Sequence, residues 1–145
     1  MKITFCGHGD TIGSGNLRAA LANTIETLIR EGATEFYLGG YGNFDRLAAE
    51  EVRNACKKHP DIRAVLVLPY LKENADLSSF YDASVYPPLE TVLPQFAIPA
   101  RNRWMVDNCD GLVCYVTRSF GGAAEMLRYA ERKGKRIFRL SERNG

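Results

Sequence analysis

Short apolar runs alternate with longer amphipathic stretches along the chain. Lys2 to Cys6 reads as a first strand, followed by a glycine-rich stretch from Gly7 to Gly15. Leu17, Leu21, Ile25 and Leu28 then recur every three or four residues, which predicts an amphipathic helix over 15–31 with Gly32 as its C-terminal cap. Glu35 to Gly39 reads as a second strand, and Leu47, Ala48, Val52, Ala55 and Cys56 stripe a second helix. Arg63 to Leu68 is apolar almost throughout, as expected of a strand buried on both faces. After Pro69 the periodicity lapses over about 69–98, where Pro87, Pro88 and Pro94 mix with the aromatics Tyr70, Phe80, Tyr81, Tyr86 and Phe96. A long irregular insert of this kind in a compact domain is usually functional. A helix is predicted over 99–108, then a fourth strand from Gly111 to Val116. Gly121 and Gly122 open a last helix, with Met126, Leu127 and Ala130 on its inner face and Gly134 at its end. Arg136 to Leu140 closes the pattern as a fifth strand.

Five strands alternating with helices predict an α/β fold with a parallel sheet covered on both faces. The right-handed crossover rule leaves few topologies, and a Rossmann-like five-stranded order 3-2-1-4-5 is the expectation. No repeat or composition break divides the chain. It reads as a single ligand-binding domain over 1–145, carrying the insert.

Composition adds exclusions. The chain is 46% hydrophobic and 25% charged, ordinary for a globular protein. Nineteen Lys and Arg against seventeen Asp and Glu give a net charge of +2, which argues against nucleic acid or an anionic membrane as partner. No apolar run approaches the ~20 residues of a membrane span, and the first residues lack the apolar core of a signal peptide. Cys6, Cys56, Cys109 and Cys114 show no metal-binding spacing, and a chain of this size needs no disulfide framework. A reducing, cytoplasmic setting is expected, with no metal site and no resident cofactor.

Candidate chemistry lies in three glycine-rich turns after predicted strands. They are Gly7-His8-Gly9, Gly39-Gly40-Tyr41-Gly42-Asn43-Phe44-Asp45, and Gly121-Gly122. Glycine lets backbone N–H groups approach an anion, and a following helix N-terminus adds partial positive charge, so a phosphate is the natural ligand. None of the three has the Lys-Ser/Thr of a nucleoside-triphosphatase loop or a full dinucleotide fingerprint. Asp45 either caps the second helix or holds ribose hydroxyls. His8 is a candidate ligand contact or acid/base group. Arg101, with Asn102 beside it, suits phosphate through its planar fork. Glu125, in the first turn of the last helix, is held ionised by the helix dipole and would serve as nucleophile or oxocarbenium stabiliser at a ribose. Its bland alternative is simple dipole complementation.

Taken together, Thr4-Phe5-Cys6-Gly7-His8, Gly39-Gly40-x-Gly42-x-x-Asp45, Arg101-Asn102-Arg103-Trp104-Met105 and Gly121-Gly122 with Arg128-Tyr129-Ala130 resemble the SLOG superfamily. That group includes the lonely-guy phosphoribohydrolases, DNA-processing protein A and the YpsA-like proteins, and the likeness is closest to the YpsA-like branch. The resemblance implies a Rossmann-like domain that binds a nucleotide or nucleotide derivative, commonly as a homodimer. Lonely-guy enzymes use an Arg and a Glu, the Glu in Pro-Gly-Gly-x-Gly-Thr-x-x-Glu. Aligned on Gly121-Gly122, this chain has Phe120, Ala124, Glu125 and Arg128 at the Pro, second-motif Gly, Thr and Glu positions. Arg101 carries over; the catalytic Glu does not. Gly121-Gly122-Ala123-Ala124-Glu125 also has the glycine-to-Glu spacing of nucleoside 2-deoxyribosyltransferases, in which Glu125 would be the nucleophile.

Two readings therefore stand. The first is a small-molecule nucleotide-binding module, a sensor without strong turnover, with Gly7, His8, Gly39, Gly40, Gly42, Asp45, Arg101, Asn102, Gly121 and Gly122 at its site. The second is an enzyme that cleaves or exchanges an N-glycosidic bond of a nucleoside or nucleotide, with Glu125 and Arg101 catalytic.

Overall fold

A computed structural model describes residues 1–70 and 80–142. All strand pairings in it are parallel. In chain order the elements are β1 (Lys2–Gly7), α1 (Gly15–Arg30), β2 (Glu35–Leu38), α2 (Gly42–Lys58), β3 (Arg63–Val67), β4 (Ala83–Val85), α3 (Ala97–Asn108), β5 (Gly111–Tyr115), α4 (Gly122–Arg132) and β6 (Arg136–Arg139). A 3-10 turn, Pro94–Phe96, leads into α3.

Among the described residues the sheet has six strands, in the order β4-β3-β2-β1-β5-β6, and not the expected five in the order 3-2-1-4-5. The difference is β4, which comes from the segment expected to be irregular. Val65, Leu66 and Val67 pair with Ala83, Ser84 and Val85, and the Asp82 carboxylate accepts from the Ala64 N–H at 2.8 Å. Arg53 of α2 fixes the approach, donating to the Phe80 carbonyl and pairing with Asp82 at 3.1 Å. A three-residue strand centred on a serine, two residues before a Pro-Pro pair, is too short for any period to register. Residues 71–79 of the expected insert lie outside the described residues.

Two apolar layers flank the sheet. On one face Leu17, Leu21, Ile25 and Leu28 of α1 and Phe44, Leu47, Ala48 and Val52 of α2 pack against Ile3, Phe5, Phe36 and Leu38. On the other, Met105 and Val106 of α3 and Met126 and Ala130 of α4 pack against Cys6, Tyr37, Val65, Val67, Leu112 and Cys114. The central strands β1 and β5 are buried nearly end to end, which explains their unbroken apolar runs. Both edges are short, and β6 ends in arginines, which discourages pairing with a further strand.

The helix ends follow their residues. Ser14 Oγ accepts from the Leu17 N–H at 3.0 Å and caps α1. At the other end Gly32 takes a φ of +108°, and the Ala33 N–H returns to the Leu28 carbonyl. Helix α3 begins two residues earlier than the periodicity predicts, because Pro99 sits in its first turn, where no N–H is required.

Candidate functional site

From β1 the chain builds β2, β3 and β4 to one side, then returns to lay β5 and β6 on the other, so strand order reverses between β1 and β5. Beyond the carboxyl ends of strands at such a reversal, two diverging loops leave room for a ligand. A cavity of about 100 Å³ lies there. Its walls are Phe5, Cys6 and Gly7 of β1, Tyr41 and Asp45 at the start of α2, Ile98, Arg101, Asn102 and Met105 of α3, and Gly122, Ala123 and Met126 of α4. Ile98, Asn102, Gly122 and Met126 also wall a second cavity, of about 300 Å³, which runs outward between α3 and α4 past Arg103, Glu125, Arg128, Tyr129 and Arg132. Shared walls make these one cleft.

Arg101 and Asp45 form its floor. Arg101 is only 2% exposed, and its Nη1 donates to the carbonyls of Gly39 and Val67, both at 2.7 Å. Its Nε donates to Asn102 Oδ1 at 3.0 Å, and its guanidinium lies 5.7 Å from the Tyr41 ring centre. Burial lowers the Arg101 pKa from its ordinary value, and Asp45 opposes this. Asp45 is half-buried as a residue, but its carboxyl turns inward against Gly39 and accepts from the Tyr41 N–H at 3.3 Å. Burial pushes its pKa up to about 6, against the pull of Arg101 and the Tyr41 N–H. A carboxyl that titrates near neutrality in a cleft is a functional candidate on physical grounds. Gly39 permits the arrangement, since a Cβ there would sit 2.8 Å from Asp45 Oδ2 and 3.1 Å from Arg101 Cζ.

The first two glycine turns serve largely for close packing, of an aromatic ring on backbone at Gly7 and of backbone on backbone at Gly42. A Cβ on Gly7 would lie 2.2 Å from Phe44 Cγ. Gly42, at a φ of +87°, presses on the Gly9 backbone, whose carbonyl accepts from the Asn43 N–H at 2.9 Å. Gly40 and Gly42 line a separate cavity with Arg46, Phe80 and Tyr81. The third turn differs. Gly121 takes a φ of +93°, a Cβ on it or on Gly122 would meet nothing within 4 Å, and α4 starts without a side-chain cap.

His8 is 5% exposed and does not line the cleft. Its Nε2 accepts from the N–H groups of Thr117 and Arg118 at 3.0 and 3.2 Å, which places the ring proton on Nδ1. Burial lowers its pKa, Arg118 adds to this and Asp10 opposes it. Arg118 in turn grips Asp10 in a two-pronged pair at 2.8 and 2.9 Å. This clasp holds the loop leading to Gly121-Gly122 against the end of β1.

Of the residues singled out from the sequence, Gly7, Asp45, Arg101, Asn102, Gly122 and Glu125 thus line one cleft, with Gly39 packed behind its floor. His8, Gly40, Gly42 and Gly121 do not line it. Sequence reasoning missed Arg103, Arg128, Tyr129 and Arg132, because polar residues on helices read as solvated faces until α3 and α4 are set side by side. The spacing of Arg128 and Arg132, one turn apart, was the available signal. Among the described residues no group of three or more His, Cys, Asp or Glu is placed to hold a metal ion. Nor, among these residues, is any helix long and apolar enough to cross a membrane.

No protein-family model matches the chain, and no curated protein matches it. Solved structures do. DNA processing protein A from Helicobacter pylori, described for its single-stranded DNA binding mode, superposes with a TM-score of 0.62 at 15% identity, over 96% of this chain and 64% of that one. The Moco carrier protein from Chlamydomonas reinhardtii superposes with a TM-score of 0.60 at 16% identity, over 96% and 75%. The chain therefore spans under two thirds of the first and three quarters of the second. A net charge of +2 averages over the whole surface, so by itself it does not exclude nucleic acid as a partner. What the chain shares with both neighbours is the Rossmann-like α/β fold.

Proposed function

We propose that this protein binds a nucleotide or nucleotide derivative in the cleft between β1 and β5, as a SLOG-type, YpsA-like binding module working as a cytoplasmic homodimer. The observation that carries the reading is the position of the cleft. It opens where strand order reverses, with the uncapped start of α4 on one wall and Arg101 and Asp45 at the floor. The phosphate is assigned to Gly122 at the start of α4 and to Asn102, where backbone N–H groups and the helix dipole favour an anion. Asp45 is assigned to the ribose hydroxyls, and Arg101 supplies positive charge while holding the floor. The fold neighbours support a ligand-binding reading, one described for single-stranded DNA binding and the other as a Moco carrier.

A thermal-shift screen against nucleosides, nucleoside monophosphates, dinucleotides, cyclic nucleotides and a short single-stranded oligodeoxynucleotide tests this. A ligand at ~100 times its Kd adds ~2.7 kcal/mol, which for a chain of this size is a rise of roughly 5–10 °C in Tm. A nucleotide response supports the reading. A response to the oligodeoxynucleotide alone replaces it with single-stranded DNA binding, and no response to any nucleotide overturns it.

The second reading rests on Glu125, which lines the same cleft as the Asp45 carboxyl. As an N-glycosidic hydrolase or transferase, the protein would use Glu125 as nucleophile at the sugar carbon. Glu125→Gln then keeps ligand binding and loses base release by at least ~100-fold, measured by chromatography of the free base. Turnover undiminished in that variant excludes the role.

A further inference from the structure

The outer half of the cleft has a charge pattern that binding a single phosphate at Gly122 does not use. Arg103 reaches it from α3, and Arg128 and Arg132 from α4, around a cavity of about 300 Å³ with Glu125 as the one carboxylate on its wall among the described residues. Elsewhere on the surface Arg18, Arg46, Arg53, Arg118, Arg136 and Arg139 each pair with a carboxylate, while Arg30 and Arg63 have no such partner among the described residues. Among the described residues the three groove arginines pair with none. The acidic residues nearby are engaged otherwise: Asp107 accepts from Tyr129 at 2.8 Å and pairs with Lys133 at 3.6 Å, and Glu131 pairs with Arg139 at 3.7 Å.

Two of the three are also set against each other. Arg128 and Arg132 stand one helical turn apart on α4, a spacing at which like charges repel unless an anion lies between them. Arg128 is held in place by its Nη1, which donates to the Ser119 carbonyl at 2.9 Å. The Arg132 guanidinium rests 5.8 Å from the Tyr129 ring centre. Gly122 and Arg132 are separated by about 15 Å along the helix axis, and the long Arg128 and Arg132 side chains lean back toward the helix N-terminus, which narrows that span toward the reach of two linked phosphates.

Resting on the nucleotide reading above, we infer that the ligand carries a second phosphate or equivalent anion, bound in the α3–α4 groove by Arg103, Arg128 and Arg132. The ligand class is thus a nucleoside diphosphate or a pyrophosphate-linked nucleotide, and a nucleoside monophosphate fills only the inner half. Guanidinium forks suit this task because each offers two parallel N–H donors to phosphate oxygens.

Calorimetric titration of the whole chain with adenosine and guanosine mono- and diphosphates and with inorganic pyrophosphate tests the inference at low ionic strength. The preferred diphosphate is expected to bind at least about tenfold more tightly than its monophosphate, a difference of about 1.4 kcal/mol. In Arg128→Gln/Arg132→Gln, whose altered side chains are exposed, that ratio falls to within about twofold of unity. Equal affinities in the unaltered protein, or a ratio that survives in the double variant, overturn the inference and leave the nucleotide reading standing. If no nucleotide binds, the nucleotide reading fails, and inorganic pyrophosphate decides the groove. Saturable binding lost in the double variant supports an anion site, and absence of binding overturns it.

Discussion

Asp45 is a costly residue in its position. Its carboxyl is turned inward, pressed against Gly39 and raised to a pKa of about 6 by burial, so at neutral pH the fold holds a charge it would rather neutralise. The native state binds a proton more tightly here than the unfolded chain, whose carboxyl titrates near 3.8. Stability contributed by this group is therefore complete below about pH 4 and is lost as pH rises through 6. Asp45→Asn should stabilise the protein by about 1–3 kcal/mol at pH 7.5, a range discounted because the residue keeps some solvent contact. The gain should vanish at pH 4, as urea denaturation at the two pH values would show. A destabilising side chain kept beside a cleft is what a site selected for binding looks like. From sequence Asp45 was visible as a polar residue after a glycine turn; its buried neighbours were not, since Arg101 lies far along the chain.

Between elements, the His8 clasp decides where the third glycine turn sits. Nε2 accepts two N–H groups from the loop between β5 and α4, and it can do so only while unprotonated. The groups facing it are Arg118, which disfavours the imidazolium, and Asp10, which favours it but is gripped by that same Arg118. With a folded pKa below 6.5, His8 contributes stability that is present above that pH and lost as pH falls through the lower folded value. This runs opposite to Asp45. Heteronuclear NMR of the two histidines should show His8 in the Nδ1–H form and titrating below 6.5, with the Thr117 and Arg118 amides shifting in step. Amide shifts that follow some other group would refute the clasp. The sequence showed His8 only as a lone histidine in a loop, a residue equally open to catalysis; its partners come from a different strand end.

For the molecule as a whole, Arg101 joins what the sheet separates. It starts on α3, on one face, and reaches the carbonyls of Gly39 and Val67 at the ends of β2 and β3, beside an aspartate from α2 on the other face. Arg101→Met would leave both carbonyls without that donor and Asp45 without its nearest cation. A loss of about 2–5 kcal/mol is expected in urea denaturation, with the Asp45 pKa moving above 6. Combined with Asp45→Asn the loss should be less than additive, since the two side chains answer the same electrostatic demand. Full additivity would mean that they do not interact.

The alternation of apolar strands and striped helices already dictated an α/β chain with a parallel sheet, because burial on both faces, helical period and crossover handedness are local properties that each segment carries alone. The glycine turns after β1 and β2 read from sequence as anion cradles; that Gly7 instead receives the Phe44 ring and Gly42 the Gly9 backbone shows only in the folded chain. The three-residue β4 stayed invisible because it is too short to show a period of its own, and Asp82 and Arg53 anchor its backbone ladder with β3 from outside the strand. The cleft was half visible: Arg101, Asn102 and Glu125 stood out by residue type, while Arg103, Arg128 and Arg132 looked like solvated helix faces. Only the docking of α3 against α4 turns those faces toward one cavity, and that docking follows from the apolar residues Met105, Val106, Met126 and Ala130 of the same helices, packed onto the sheet.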